Sequence, residues 1–102
     1  HTDFLIQKNI DNSSWFGFSL IINPSSSLKR KDIVKKLQNN CIDCRPIVAG
    51  DFTKNEVIKF FDYEIHGELK NSHYLHDNGF FVGNSHTCLK GELNALLAIL
   101  SF

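Results

Sequence analysis

The sequence predicts an α+β fold, a small two-layer sandwich of about three short strands with helices packed on one face. Three observations predict it. Trp15 to Ile22 is apolar and aromatic at both alternations, the pattern of a buried strand. Leu89, Leu93, Leu96, Leu97 and Leu100 recur at helical spacing. Between them the periods run strand, helix, strand, small helices, strand, helix, and helices crossing between short strands imply two layers.

Residues 1–13 form the first segment, an N-terminal connecting arm without a clean period, in which Phe4, Leu5 and Ile6 allow a short strand. Residues 14–102 form the domain proper. Gly17 inside the first strand points to close backbone approach or a bulge. Asn23-Pro24-Ser25-Ser26-Ser27 ends that strand and offers Ser27 as an N-cap. Leu28, Ile33, Val34 and Leu37 then share one stripe of a helix running to about Asn39. Asn40, which tolerates the left-handed conformation, is the expected C-cap. A second strand is expected over Ile42–Val48, and Pro46 makes it an edge or bulged strand.

Thr53 and Glu56 have the spacing of a capping box opening a short helix, Val57–Phe61. Asp62 to Lys70 reads as irregular, turning at Gly67. Asn71–Asn78 reads as a helix closed by Gly79, and Phe80-Phe81-Val82 as a third strand. With helices on one face, the rings of Trp15, Phe16, Phe18, Phe80 and Phe81 leave an aromatic second face needing a cover.

Eleven basic and eleven acidic residues balance, which excludes the basic excess of a general nucleic-acid or anionic-membrane surface. No apolar run reaches the length of a membrane span, and no signal-peptide pattern opens the chain. Cys41, Cys44 and Cys88 are too few and too odd for a disulfide framework, which favours a reducing, cytoplasmic setting. The 102 residues contain no methionine, which fits either a removed initiator or a piece of a longer protein.

Cys41 and Cys44 could be half of a metal site, with His73 and His76 as the other half. Their spacing matches no standard zinc finger, so structural thiols and no metal are expected. Arg45, between two strand residues and a rigid proline, suits bidentate capture of a phosphate or carboxylate, or else a structural salt bridge. Asn84 and His86 follow the third strand, where they could meet a ligand or simply cap and line a loop.

Arg45-Pro46-Ile47-Val48-Ala49-Gly50, followed by Phe52-Thr53-Lys54-Asn55, resembles a signature of the DegT/DnrJ sugar aminotransferase family, in its 3-dehydratase branch. Ser14-Trp15-Phe16-Gly17-Phe18 and Gly79-Phe80-Phe81-Val82-Gly83-Asn84 match two further blocks of that family, in the right order. The resemblance spans nearly the whole chain but covers only the family's small C-terminal domain. Asp51 departs from it, since the family carries asparagine there; it either closes the turn or weakens anion binding at this edge.

The resemblance implies a domain of a pyridoxal-phosphate-dependent aminotransferase or 3-dehydratase acting on nucleotide-linked 4-keto-6-deoxysugars, in deoxysugar or O-antigen synthesis. It implies substrate contacts from Arg45, Asn84 and His86 at the cleft, and no catalytic residue in this chain. The blocks that hold pyridoxal phosphate lie in the family's large domain, so this chain alone is expected to hold no cofactor and to be inactive. The expected partners are that large domain, a nucleotide-sugar and a second copy. The alternative is a stand-alone self-associating or ligand-binding module that keeps the fold without the chemistry; a metal-binding domain is a third reading.

Overall fold

A computed structural model describes residues 3–101. Four antiparallel strands form one sheet, in the order β1-β2-β4-β3. They are β1 (Phe4–Ile6), β2 (Gly17–Ile22), β3 (Cys44–Pro46) and β4 (Gly79–Gly83). The helices are α1 (Arg30–Asn39), α2 (Lys70–Asn78) and α3 (Lys90–Ile99), with two 3₁₀ turns at Phe52–Lys54 and Glu56–Phe60. The α+β sandwich is as the sequence implies, but Phe4–Ile6 adds a fourth strand by pairing with β2, and α2 lies on the face opposite α1 and α3 and not beside them.

Register sorts the side chains. Phe4 stands opposite Ile22, Leu20 opposite Phe80, and Phe18 opposite Val82. With the two-residue period of a strand, these share one face. That face meets Ile33 and Leu37 of α1 and Leu96 and Leu100 at the end of α3, forming the buried core. The Phe4 ring meets the Phe80 ring edge to face at 6.3 Å, a favoured aromatic geometry. The even residues of the aromatic strands are thus core. Phe18 and Phe80 do not belong to the second face as expected, and Trp15 precedes β2 and stacks on Phe18. Only Phe16 and Phe81 remain on the second face, with ring centroids 5.8 Å apart.

The α3 stripe is narrower than its leucines imply. Leu96 and Leu100 are buried, while Leu93 and Leu97 are exposed. At the far end of the second face α2 is fastened to the sheet, where the Tyr74 hydroxyl donates to the Ile22 carbonyl at 2.7 Å. Gly79 does not close α2 with a left-handed turn but begins β4 in extended conformation. A Cβ there would lie 2.5 Å from Ile47 Cδ1 and 2.6 Å from the Leu75 carbonyl. Close approach, and not φ, demands the glycine.

Three further boundaries differ from expectation. Lys29, not Ser27, is the N-cap of α1, while Ser26 Oγ accepts from the Leu28 N–H at 3.2 Å. The second strand shortens to Cys44–Pro46 and lies at the sheet edge, where the missing N–H of Pro46 costs little. Thr53 does not form a capping box with Glu56. Asp51 caps the first 3₁₀ turn and Asn55 the second, each accepting from a backbone N–H two residues on.

Asn40 does not take the left-handed position either; Cys41 does, at φ +58°. The Cys41 N–H donates to the Gln38 carbonyl and the Ile42 N–H to that of Leu37. This is a Schellman ending, with Ile42 and Leu37 supplying its apolar contact. The position favours glycine, because a Cβ in the left-handed region is strained. Cys41→Gly is therefore expected to stabilise the domain by about 1 kcal/mol. Urea unfolding should show a higher midpoint at unchanged slope; an unmoved or lower midpoint would contradict the strain.

Candidate functional site

Edge strand β3 sets Arg45 opposite Phe81, on the sheet face away from α1 and α3. A groove of about 330 Å³ there is lined by Phe16, Arg45, Phe81, Gly83 and Asn84 among others. Phe16 is 85% exposed. The Arg45 guanidinium stands 3.7 Å from the Asp43 carboxylate, with both side chains largely in water. Such an exposed pair contributes about 0–1 kcal/mol, so the guanidinium is free to exchange it for an anionic ligand.

Of the three site residues expected, the structure brings two together. Arg45 and Asn84 line the same groove, but His86 does not. The Asn84 amide donates to the Trp15 carbonyl at 2.7 Å, and its oxygen accepts from the Ser85 N–H. Asn84 thereby ties the approach to β2 to the exit of β4. His86 is exposed and makes no hydrogen bond or ion pair among the described residues.

Sequence reasoning missed the most connected polar cluster. Asp51 is only 2% exposed. Its Oδ1 accepts from the Thr53 N–H at 3.0 Å and the Thr53 hydroxyl at 2.6 Å, and its Oδ2 pairs with His73 Nδ1. The Asp51 N–H donates to His76 Nδ1 at 3.2 Å. His73 and His76, weighed from spacing as partners of the cysteine pair, turn instead to Asp51. Asp51 thus closes the turn after β3 and straps it to α2. Lys54 adds a second strap, reaching both carboxylate oxygens of Asp77 at 2.8 Å. The three thiols are free; Cys41 and Cys88 are exposed, and burial pushes the half-buried Cys44 thiol up.

The turn between Arg45 and Asp51 is tight. Val48 has φ +29° and is 81% exposed, a rare conformation for a β-branched residue. Gly50 has φ +54°, and a Cβ there would lie 2.7 Å from His76 Nδ1. Only glycine lets the turn approach α2 this closely.

Three of the lysines sit in ion pairs at the surface. Lys54, Lys59 and Lys70 are paired with Asp77, Glu56 and Glu68. The grooves that hold Phe16 and Phe81 contain no lysine, and the one that holds Lys31, Lys35 and Asp77 contains no aromatic ring. A pyridoxal site needs a group at the aldehyde, an acid at the ring nitrogen and a stacking wall. Another groove brings Lys70, which is paired with Glu68, beside Tyr74.

No protein-family model matches the sequence. Individual proteins do. GDP-4-keto-6-deoxy-D-mannose 3-dehydratase of Yersinia pseudotuberculosis is 49% identical over 96 residues, which are 93% of this chain and 24% of that protein. The enzyme of the same name from Escherichia coli O55:H7 is 46% identical over 96 residues, 93% of this chain and 25% of that protein. A crystal structure of a GDP-4-keto-6-deoxymannose-3-dehydratase variant with bound GDP-perosamine superimposes with a TM-score of 0.95 at 44% identity, covering 99% of this chain and 26% of that one. The E. coli enzyme with bound hydrated pyridoxal phosphate gives 0.94 at the same identity. The chain therefore spans about a quarter of the length of these relatives, and the stretch matched is their C-terminal part.

The Asp51 carboxyl is held below the usual aspartate range, first by the Thr53 hydroxyl and then by His73, against the opposing effect of burial. A lowered folded value means that the stabilisation is complete above the unfolded value, about 3.9, and is lost as pH falls through the folded one. Asp77, lowered chiefly by Lys54, acts in the same direction. Unfolding free energy should thus fall with acidification below about pH 4, and Asp51→Asn should flatten that slope. Urea titrations at several acid pH values measure it; an equal slope in the variant would show that Asp51 is not the group responsible.

Proposed function

Because the chain belongs, as a C-terminal domain, to the DegT/DnrJ sugar aminotransferase family and its 3-dehydratase branch, we propose that it serves a pyridoxal-phosphate-dependent 3-dehydratase. The substrate is a nucleotide-linked 4-keto-6-deoxyhexose, and the setting is cytoplasmic deoxysugar synthesis for a lipopolysaccharide. The large part of such an enzyme carries the cofactor and the chemistry. This domain covers the cleft with its second sheet face and contributes Arg45 to the anionic end of the substrate. The reading is supported most by the superposition over 99% of the chain on an enzyme holding GDP-perosamine. The exposed Arg45 beside Phe16 and Phe81 adds to it, because a guanidinium next to flat rings suits a nucleotide diphosphate.

Each residue then has a task this geometry permits. Arg45 exchanges the weak Asp43 pair for the ligand's phosphate oxygens. Asn84 holds the Trp15 carbonyl and so keeps Phe16 beside Phe81. His86, on the exposed loop after β4, reaches a substrate only if the large part of the enzyme brings the substrate to it.

The test is a chimera in which this chain replaces the C-terminal quarter of the Yersinia relative. The chimera should dehydrate GDP-4-keto-6-deoxymannose. Arg45→Ala in it should lower kcat/KM about 10–100-fold, the worth of a hydrogen bond to a charged group, while stability moves by less than about 0.5 kcal/mol. A folded but inactive chimera would defeat the proposal. Unchanged kcat/KM in the variant would remove Arg45 from the site.

A second reading concerns the chain on its own. Phe16 and Val48 are 85% and 81% exposed on or beside the second face, and each large apolar group left in water forgoes about 1.5–3 kcal/mol of burial. A second copy would cover them in a two-fold pair. Sedimentation equilibrium at about 100 micromolar should give twice the 11.6 kDa chain mass; a clean monomer would exclude self-association of this kind.

A further inference from the structure

We infer that Asp51, His73 and His76 form a clasp that protonation of its two histidines drives in opposite directions, so that acidification frees the turn after β3 from His76 while its hold on His73 tightens.

The two imidazoles play opposite hydrogen-bonding roles. A carboxylate only accepts, so His73 Nδ1, which meets Asp51 Oδ2, must carry a proton. A backbone N–H only donates, so His76 Nδ1, which meets the Asp51 N–H, must be bare. His73 is consequently either a cation or the Nδ1–H tautomer, and His76 is the neutral Nε2–H tautomer. One helix thus grips one residue from both sides, three positions apart on α2.

Acidification acts differently on the two. Protonating His73 places a cation against a buried carboxylate and tightens the grip. Protonating His76 points a new N–H at the Asp51 N–H, and that hydrogen bond is lost. Raising the pH leaves His76 seated but removes the charge from His73. Asp77 of α2 is a second carboxylate facing both imidazoles. Lys54, from the first 3₁₀ turn, is engaged with Asp77 of α2. Arg30 of α1 donates to the His76 carbonyl at 3.4 Å, not to its ring.

The turn being held is one that would move if released. It contains Val48 at φ +29° and Gly50 at φ +54°, and it joins the strand bearing Arg45 to the 3₁₀ turns. Loss of the His76 contact frees Asp51 at its backbone while Lys54–Asp77 and Asp51–His73 still tether its side. The result is a loosening of residues 47–51 and not an unfolding. The inference is independent of the proposed enzyme and applies to the chain by itself.

Histidine-selective and amide NMR on the intact chain tests it. Near pH 7.5 the nitrogen shifts should report the Nε2–H tautomer for His76 and a protonated Nδ1 for His73. On acidification from about pH 7.5 to about pH 5, the Asp51 amide should lose at least tenfold of its exchange protection. Protection should be compared with the intrinsic rate at each pH, and Leu20 and Phe80 should keep theirs. In His76→Asn, whose uncharged side-chain oxygen can accept in place of Nδ1, that pH dependence should disappear. An Nδ1–H tautomer at His76, pH-independent protection at Asp51, a dependence that survives His76→Asn, or parallel loss at Leu20 and Phe80 would each overturn the inference.

Discussion

Strand β4 pairs with β2 along five residues on one side and with β3 along three on the other, and Phe80 near its middle is completely buried. Phe80 stands opposite Leu20 of β2, and its ring meets that of Phe4 of β1, so it joins the core residues of these strands in one layer. Ile33, Leu37, Leu96 and Leu100 close over that layer. If β4 were displaced by one residue, Phe80 would face outward and Phe81 inward, and the ring packing of both faces would be lost together. Gly79 and Gly83 bound the strand. The first admits Ile47 and the Leu75 carbonyl against its backbone, so the position of β4 also fixes the turn that follows β3.

From this constraint the site follows. β3 pairs with no strand but β4, so Arg45 inherits its placement opposite Phe81 from the central strand. The turn after β3 is then secured from the opposite side by α2, through Asp51 and Lys54. Arg45 thus sits between two attachments, one of backbone ladder and one of side-chain polar contacts, although its own guanidinium is scarcely engaged. A rigid base beneath a loosely committed charged group is a useful arrangement for ligand exchange, since binding need not reorganise the backbone.

Much of this was legible in the residues. The buried strand through Phe18 to Ile22, the α1 stripe, the edge character of Pro46 and the close approach at Gly17 all follow from periodicity and backbone chemistry. A Cβ on Gly17 would indeed lie 2.5 Å from the Phe81 ring. Where reading failed, the cause was tertiary. Thr53 and Glu56 have the spacing of a capping box, but Asp51 lies closer and offers a stronger, charged acceptor. Cys41 takes the left-handed position because the chain must turn there to bring Ile42 onto Leu37, whatever the residue's own preference. The face assignment of Phe18 and Phe80 needed the register with β2, which periodicity alone does not supply. The Asp51 cluster joins residues more than twenty positions apart, so no local pattern announces it.

Residues 61–68 are exposed throughout and lie outside every helix and strand. Severing the backbone there would place β1, β2, α1 and β3 on one piece and α2, β4 and α3 on the other. The first piece would then hold the two flanks of a gap whose missing strand belongs to the second. Neither could complete the core alone, because Leu20 and Ile33 lie on one piece while Phe80 and Leu96 lie on the other. A nicked molecule should consequently remain whole in solution, its halves clasped through the inserted strand, and separate only when the domain itself unfolds.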